Sequence, residues 1–143
     1  MYSIILRSDD KITGDNNNFT IEMSDVLPKL ECGYKYKVKL SNCIINQTDV
    51  SSAKYIELRI KIGSTTLYDS KIKSYSSELI FFLPDEFDNS IVSKAGERCE
   101  FLVESFNFNN IEIKVLNENE EYLLDSNNEV PQHVIIVLTF EKI

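Results

Sequence analysis

The sequence predicts an all-β protein, an antiparallel β-sandwich built as a single jelly roll of about eight strands. Three observations carry that expectation. Ile occurs 17 times and Val nine times against two Ala, and β-branched side chains suit a pleated, half-buried surface. Apolar and polar residues alternate with period two in several separate stretches. Between those stretches lie Asn- and acid-rich segments that tolerate turns and left-handed backbone. Eight or nine short strands in 143 residues is the number a jelly roll needs. No repeat, low-complexity tail or composition break divides the chain, so residues 1–143 read as one jelly-roll domain.

In chain order, the first alternating segment sets Phe19, Ile21 and Met23 against Thr20 and Glu22, after a polar turn from Asp15 to Asn18. Tyr34 to Leu40 alternates for seven positions and places Lys35, Lys37 and Lys39 on one face. In a chain of net charge −8 that row reads as a solvated strand face or an edge guarded against pairing. Ile56, Leu58, Ile60 and Ile62 alternate with Glu57, Arg59 and Lys61. Gly63-Ser64 then reads as a hairpin turn into Thr65 to Tyr68. Pro84 interrupts the one stretch with helical possibilities, Ser77 to Lys94, leaving at most a short turn near Glu86 to Ser93. Ile111, Ile113 and Val115 alternate with Glu112 and Lys114, and Asn117 to Glu121 follows as a turn.

Two segments are apolar on both faces: Leu79 to Leu83 and Val134 to Leu138. Such strands are expected where both sides are covered. A second sheet covers one side, and a loop, a helix or a neighbouring subunit the other. Ile135 and Val137 form the second face of the later segment and are the residues expected at a subunit contact, with internal coverage by a long loop as the alternative.

Chemistry is sparse. With 23 acidic and 15 basic residues and a pI near 4.7, the chain lacks the basic footprint by which proteins release counterions from nucleic acid. No apolar run approaches the ~20 residues of a spanning helix, and the opening MYSIILRSDDK lacks the features of a signal peptide. The chain therefore reads as intracellular. Cys32, Cys43 and Cys99 form no C-x-x-C pair, and their odd number favours reduced, packed thiols. His133, the single histidine, opens an apolar run as a polar residue at a strand edge. The acidic groups Asp9, Asp10 and Asp15, Asp85, Glu86 and Asp88, and Glu118, Glu120 and Glu121 read as solvated loops without EF-hand spacing. Phosphate cradles, nucleophile elbows and helix-borne zinc motifs are likewise missing. The expectation is no enzyme, no cofactor, and no catalytic or metal-binding residue.

Ser8-Asp9-Asp10-Lys11 through Gly14 to Asn18-Phe19-Thr20-Ile21-Glu22-Met23, followed by Tyr36 to Asn46, resembles the opening of a known family. These are the single jelly-roll minor capsid and penton-type proteins of large nucleocytoplasmic DNA viruses and their virophages. They begin with a polar S-x-D-K-like turn, a short F-x-[IV]-x-[LM] strand and a longer strand ending in Pro-Asn. Here Ile45-Asn46 stands in place of Pro-Asn. Ile111 to Glu120, Leu123-Leu124-Asp125 and Val137 to Phe140 are similar to the family's closing strands. The resemblance implies a structural capsid subunit of the virion, assembled in the host cytoplasm, whose partners are its own copies in a homo-oligomer, the major capsid protein, or both. The alternative is a glycan- or peptide-binding β-sandwich module, with Tyr55, Tyr68, Tyr75 or Phe87 as an aromatic platform beside Asn and Asp loops.

Overall fold

A computed structural model describes residues 2–22, 35–47, 55–65, 68–75, 78–84, 90–93, 100–106 and 110–143. The first sheet is formed by β1 (Tyr2–Arg7), β13 (His133–Lys142), β4 (Tyr36–Asn46), β11 (Glu100–Phe106) and β6 (Gly63–Thr65), in that order, and β10 (Ser90–Ser93) also pairs with β4. The second sheet is ordered β2 (Thr13–Asp15), β3 (Asn18–Glu22), β12 (Asn110–Leu116), β5 (Tyr55–Lys61) and β9 (Leu79–Pro84). A small hairpin of β7 (Tyr68–Asp69) and β8 (Ser74–Tyr75) stands apart from both.

The topology is that of a jelly roll. β10 and β11 pair with successive halves of β4, Ser90–Ser93 against Asn46–Cys43 and Glu100–Val103 against Lys39–Tyr36, so together they act as one interrupted strand. Eight principal strands then pair antiparallel from the outside in: β1 with β13, β3 with β12, β4 with β10 and β11, β5 with β9. Numbered by their order in the chain, the sheets read 1-8-3-6 and 2-7-4-5, the two interlocked Greek keys of that fold. The expected antiparallel jelly-roll sandwich is therefore the fold observed.

Alternation places the core between the sheets. Tyr36, Val38 and Leu40 of β4, and Val134, Ile136, Leu138 and Phe140 of β13, face Ile56, Leu58 and Ile60 of β5, Phe19 of β3 and Ile111, Ile113 and Val115 of β12 in one apolar cluster. The inward pattern of β4 slips by one residue between Leu40 and Cys43, and the register opposite β13 slips at the same place, with Val137 opposite Asn42 and Leu138 opposite Leu40. Ser41 is the extra residue of a bulge, which lets both halves of an 11-residue strand point apolar side chains inward.

Two local readings are corrected, and one pair of alternatives is decided. Gly63-Ser64 does not turn the chain back along β5. Instead the chain crosses at buried Ile62 into the first sheet, where β6 pairs with β11, because a sandwich core rewards burying Ile62 between layers more than it rewards a local hairpin. Ser90–Ser93 is strand rather than turn, its backbone bonds being satisfied by β4. Of the two readings of the lysine row, the solvated face is the one observed and the guarded edge is not: β4 lies inside its sheet, Lys35 just before it and Lys37 on its outer face are exposed, and Lys39 is half-buried. Met23, Tyr34, Cys32, Phe87 and Cys99 lie outside the described residues.

Side chains tie the connections to this frame. Ser8 accepts the backbone N–H of Val134 at 2.9 Å. Asn16 donates to the carbonyls of Pro131 and Gln132, each at 2.8 Å. Asn17, buried, donates to the Leu123 carbonyl at 3.0 Å. Gly14 lies in β2 opposite Phe19, beside the tight β2–β3 turn, and its φ of +100° is open to glycine.

Candidate functional site

Two outward faces stand out, one on each sheet. On the first sheet, Ile135 and Val137 point away from the core, as the two-faced apolar run demands. Cross-strand register sets Val137 opposite Ile5 of β1, and Ile135 opposite Ile44 of β4. The four form one contiguous apolar strip. Ile5 is 50% exposed, while Ile44, Ile135 and Val137 are half-buried. The strip is bordered by polar groups: Arg7, Asn42, and a Ser3–Thr139–Ser41 hydroxyl chain with contacts of 3.2 and 2.6 Å. Among the described residues, β1 pairs only with β13, so its other edge presents backbone without a partner strand.

On the second sheet, the outward residues of β5 and β9 form the floor of a cleft of about 530 Å³. Register places Glu57 opposite Phe82 and Arg59 opposite Ile80. One wall is the Glu118–Glu120 turn and the other is the β7–β8 hairpin, contributing Tyr68 to Lys71. The first wall is shaped by Asn117, whose side chain accepts the backbone N–H groups of Asn119 and Glu121 at 2.9 and 3.1 Å. That turn puts Glu120 in left-handed backbone, φ +61°.

Arg59 organises the charges. Its guanidinium donates to Glu57 at 2.9 Å and to Glu120 at 3.2 Å, with Glu78 at 4.0 Å. Burial alone would lower its pKa, but the Glu57 hydrogen bond and the charges of Glu57, Glu78 and Glu120 outweigh it, and the guanidinium is held above its ordinary value. Glu120 also meets Lys71 in an ion pair that links the two walls. The Lys71 hydrogen bond, aided by the charges of Lys71 and Arg59, holds the Glu120 carboxyl below its ordinary value. Arg59 Nε is buried with no acceptor among the described residues. Phe82 is 62% exposed and Tyr68 56% exposed, and the Tyr55 ring meets Phe82 edge to face, with centroids 5.8 Å apart.

The remaining reactive groups are dispersed. His133 opens β13 as expected and contacts Asp9 at 3.1 Å in an exposed pair. Cys43 is fully buried under the first sheet, and burial pushes its thiol up to about 12, which makes it a packed side chain rather than a nucleophile. Among the described residues no three His, Cys, Asp or Glu side chains converge as a metal site, and no helix is long and apolar enough to cross a membrane.

The two residues expected at a subunit contact thus lie together, and two of the four residues expected in an aromatic platform, Tyr55 and Tyr68, line the cleft. Phe82 was hidden in a run that is apolar throughout, although its outward parity was available from Leu79, Phe81 and Leu83 as the inward set. Glu120, expected in a solvated loop, is an ion-pair partner of two cations. Its link to Arg59 joins residues 61 apart in sequence, which spacing alone does not reveal.

No protein family and no curated protein sequence matches the chain. Among solved structures, the chain is similar to the protein of the virus-like particle of giant freshwater prawn Macrobrachium rosenbergii extra small virus. The match covers 97% of this chain and 76% of that one, at 9% identity and a TM-score of 0.33, a distant likeness.

Proposed function

We propose that this chain is a structural subunit of a viral capsid, of the minor capsid or penton type, whose work is protein–protein assembly rather than catalysis. The observation that carries the reading is the strip of Ile5, Ile44, Ile135 and Val137. Apolar side chains in cross-strand register, bordered by polar groups, have the composition of an interface core with a polar rim. Among the described residues the outer edge of β1 beside it has no partner strand, and it offers backbone groups for a further one. The residues that resemble the capsid family add support, because they fall on β2, β3 and β12 of the second sheet and on β4 and β13 of the first, where Ile44 and Val137 belong to the strip. The fold alone does not decide function, since lectins and cupins also use it. The partners are copies of the chain, the major capsid protein, or both, in the virion and in the host cytoplasm during assembly.

Light scattering coupled to size-exclusion chromatography tests the reading across a concentration range. The expected result is a discrete oligomer that weakens, with the fold intact, when Ile135 and Val137 are both replaced by Ser. Each half-buried side chain has about 1 kcal/mol of further burial to gain at a contact. A pair of substitutions that unfolds the monomer would instead assign both side chains to the internal core.

A further inference from the structure

We infer that the cleft on the outer face of the second sheet is a saccharide site, selective for neutral or amino-substituted sugars over acidic ones. This goes beyond the assembly role and does not depend on it. A carbohydrate ligand asks for two things side by side: an aromatic surface for the C–H face of a pyranose, and a mixed set of donors and acceptors at its edge for hydroxyl groups. The cleft has both.

Phe82 and Tyr68 are 62% and 56% exposed, although the neighbouring outward residue of β9, Ile80, is 7% exposed. The edge-to-face contact of Tyr55 with Phe82 fixes the two rings relative to each other while leaving ring faces that neither covers. Around them stand the carboxylates of Asp69, Glu118 and Glu120 and the amide of Asn119, with Arg59 and Lys71 as donors. The buried Arg59 Nε is a donor with no acceptor among the described residues. A volume of about 530 Å³ falls in the range of small-molecule sites.

Charge selects among sugars. Four carboxylates line the cleft, Glu57, Asp69, Glu118 and Glu120, against two cations, Arg59 and Lys71, so a sialylated or sulfated glycan meets net repulsion. A lysine-rich peptide could use the same rings and acids. However, Arg59 already engages Glu57 and Glu120, and Lys71 engages Glu120. Paired in this way, Glu57 and Glu120 still accept hydroxyl hydrogen bonds but add little attraction for a further cation, which leaves Asp69 and Glu118 as the net negative charge that repels an acidic glycan.

The test is a glycan array spanning neutral, amino, sialylated and sulfated glycans, followed by titration calorimetry of the full chain with the strongest neutral or amino oligosaccharide, 3′-sialyllactose and tetralysine. Phe82→Ala and Tyr68→Ala accompany the wild type, with circular dichroism to verify the fold of each. Both side chains are more than half exposed, so neither substitution is expected to disturb it. The expected result is binding of a neutral or amino sugar, weakened about tenfold or more by Phe82→Ala. No saccharide binding by the wild type, a preference for acidic glycans or tetralysine, or equal affinity in both folded variants would overturn the inference. None of these outcomes alters the oligomeric state on which the assembly reading stands.

Discussion

Glu57 and Arg59 form an asymmetric pair, and that asymmetry can be measured. The Glu57 side chain is 8% exposed, that of Arg59 19%, and that of Glu120 38%. Replacing Arg59 with Met keeps much of the aliphatic stem but removes the cation from all three carboxylates. Glu120 can turn to water and keep Lys71. Glu57 cannot, and stays buried with its charge uncompensated. Breaking a fully buried pair costs about 3–5 kcal/mol, and because Arg59 retains some water contact we expect about 2–3 kcal/mol for Arg59→Met. Glu57→Gln removes the other charge, yet its amide oxygen still accepts from the guanidinium and Glu120 still neutralises it, so the expected loss is about 1 kcal/mol. In the double variant no charge is stranded. Its destabilisation should fall short of the sum by about 1 kcal/mol or more. Urea unfolding of the four proteins at neutral pH, followed by circular dichroism, supplies the cycle. Additive losses, or a loss for Arg59→Met no larger than that for Glu57→Gln, would refute the reasoning.

Two further predictions concern the frame. Gly14→Ala should cost about 2–4 kcal/mol in urea unfolding, since φ is +100° and an added Cβ would lie 2.1 Å from the Asn18 carbonyl oxygen; a loss under about 0.5 kcal/mol would mean that the hairpin adjusts freely. For Cys43, burial raises the folded pKa from an ordinary 9.0 to about 12, so the contribution of the neutral thiol is fully present below pH 9 and is lost as pH rises toward 12. Under reducing conditions the wild type should lose about 1.4 kcal/mol per pH unit more than Cys43→Ala in the middle of that window, and parallel slopes would contradict a sealed thiol.

Much of the sandwich was legible because its long strands have one wet face or an unbroken apolar run. Phe19 to Glu22, Tyr36 to Leu40, Ile56 to Lys61, Ile111 to Val115 and Val134 to Leu138 all fall in strands. The elements that escaped carry no period. Tyr2–Arg7 packs Ile4, Ile5 and Leu6 together without alternation, and Gly63–Thr65 is only three residues long. Gly63-Ser64 has the chemistry of a turn, and only the gain from burying Ile62 between the layers makes it a crossing. The apolar strip was half legible: Ile135 and Val137 follow from the two-faced run, whereas Ile5 and Ile44 join them through register. The cleft was less so, since its floor, its hairpin and its acidic turn come from three regions of the chain whose proximity only the topology provides.

The pairing of β1 with β13 sets Tyr2 opposite Phe140, a separation that places nearly the whole chain between partners. Sheets closed by such distant pairings form slowly, because the loop must close before the contact rewards it. At about 5–20 residues per second, β1 emerges from the ribosome several seconds before β13 exists, and β4 waits for the same strand on its other side. During that interval β1 has no native partner strand, and the first sheet is open along its middle. A nascent chain stalled before His133 is thus not a smaller version of the fold but a divided one, with two unpaired edges available to other chains. The ten-residue strand β13 decides whether β1 and β4 are joined in one sheet or left as open edges.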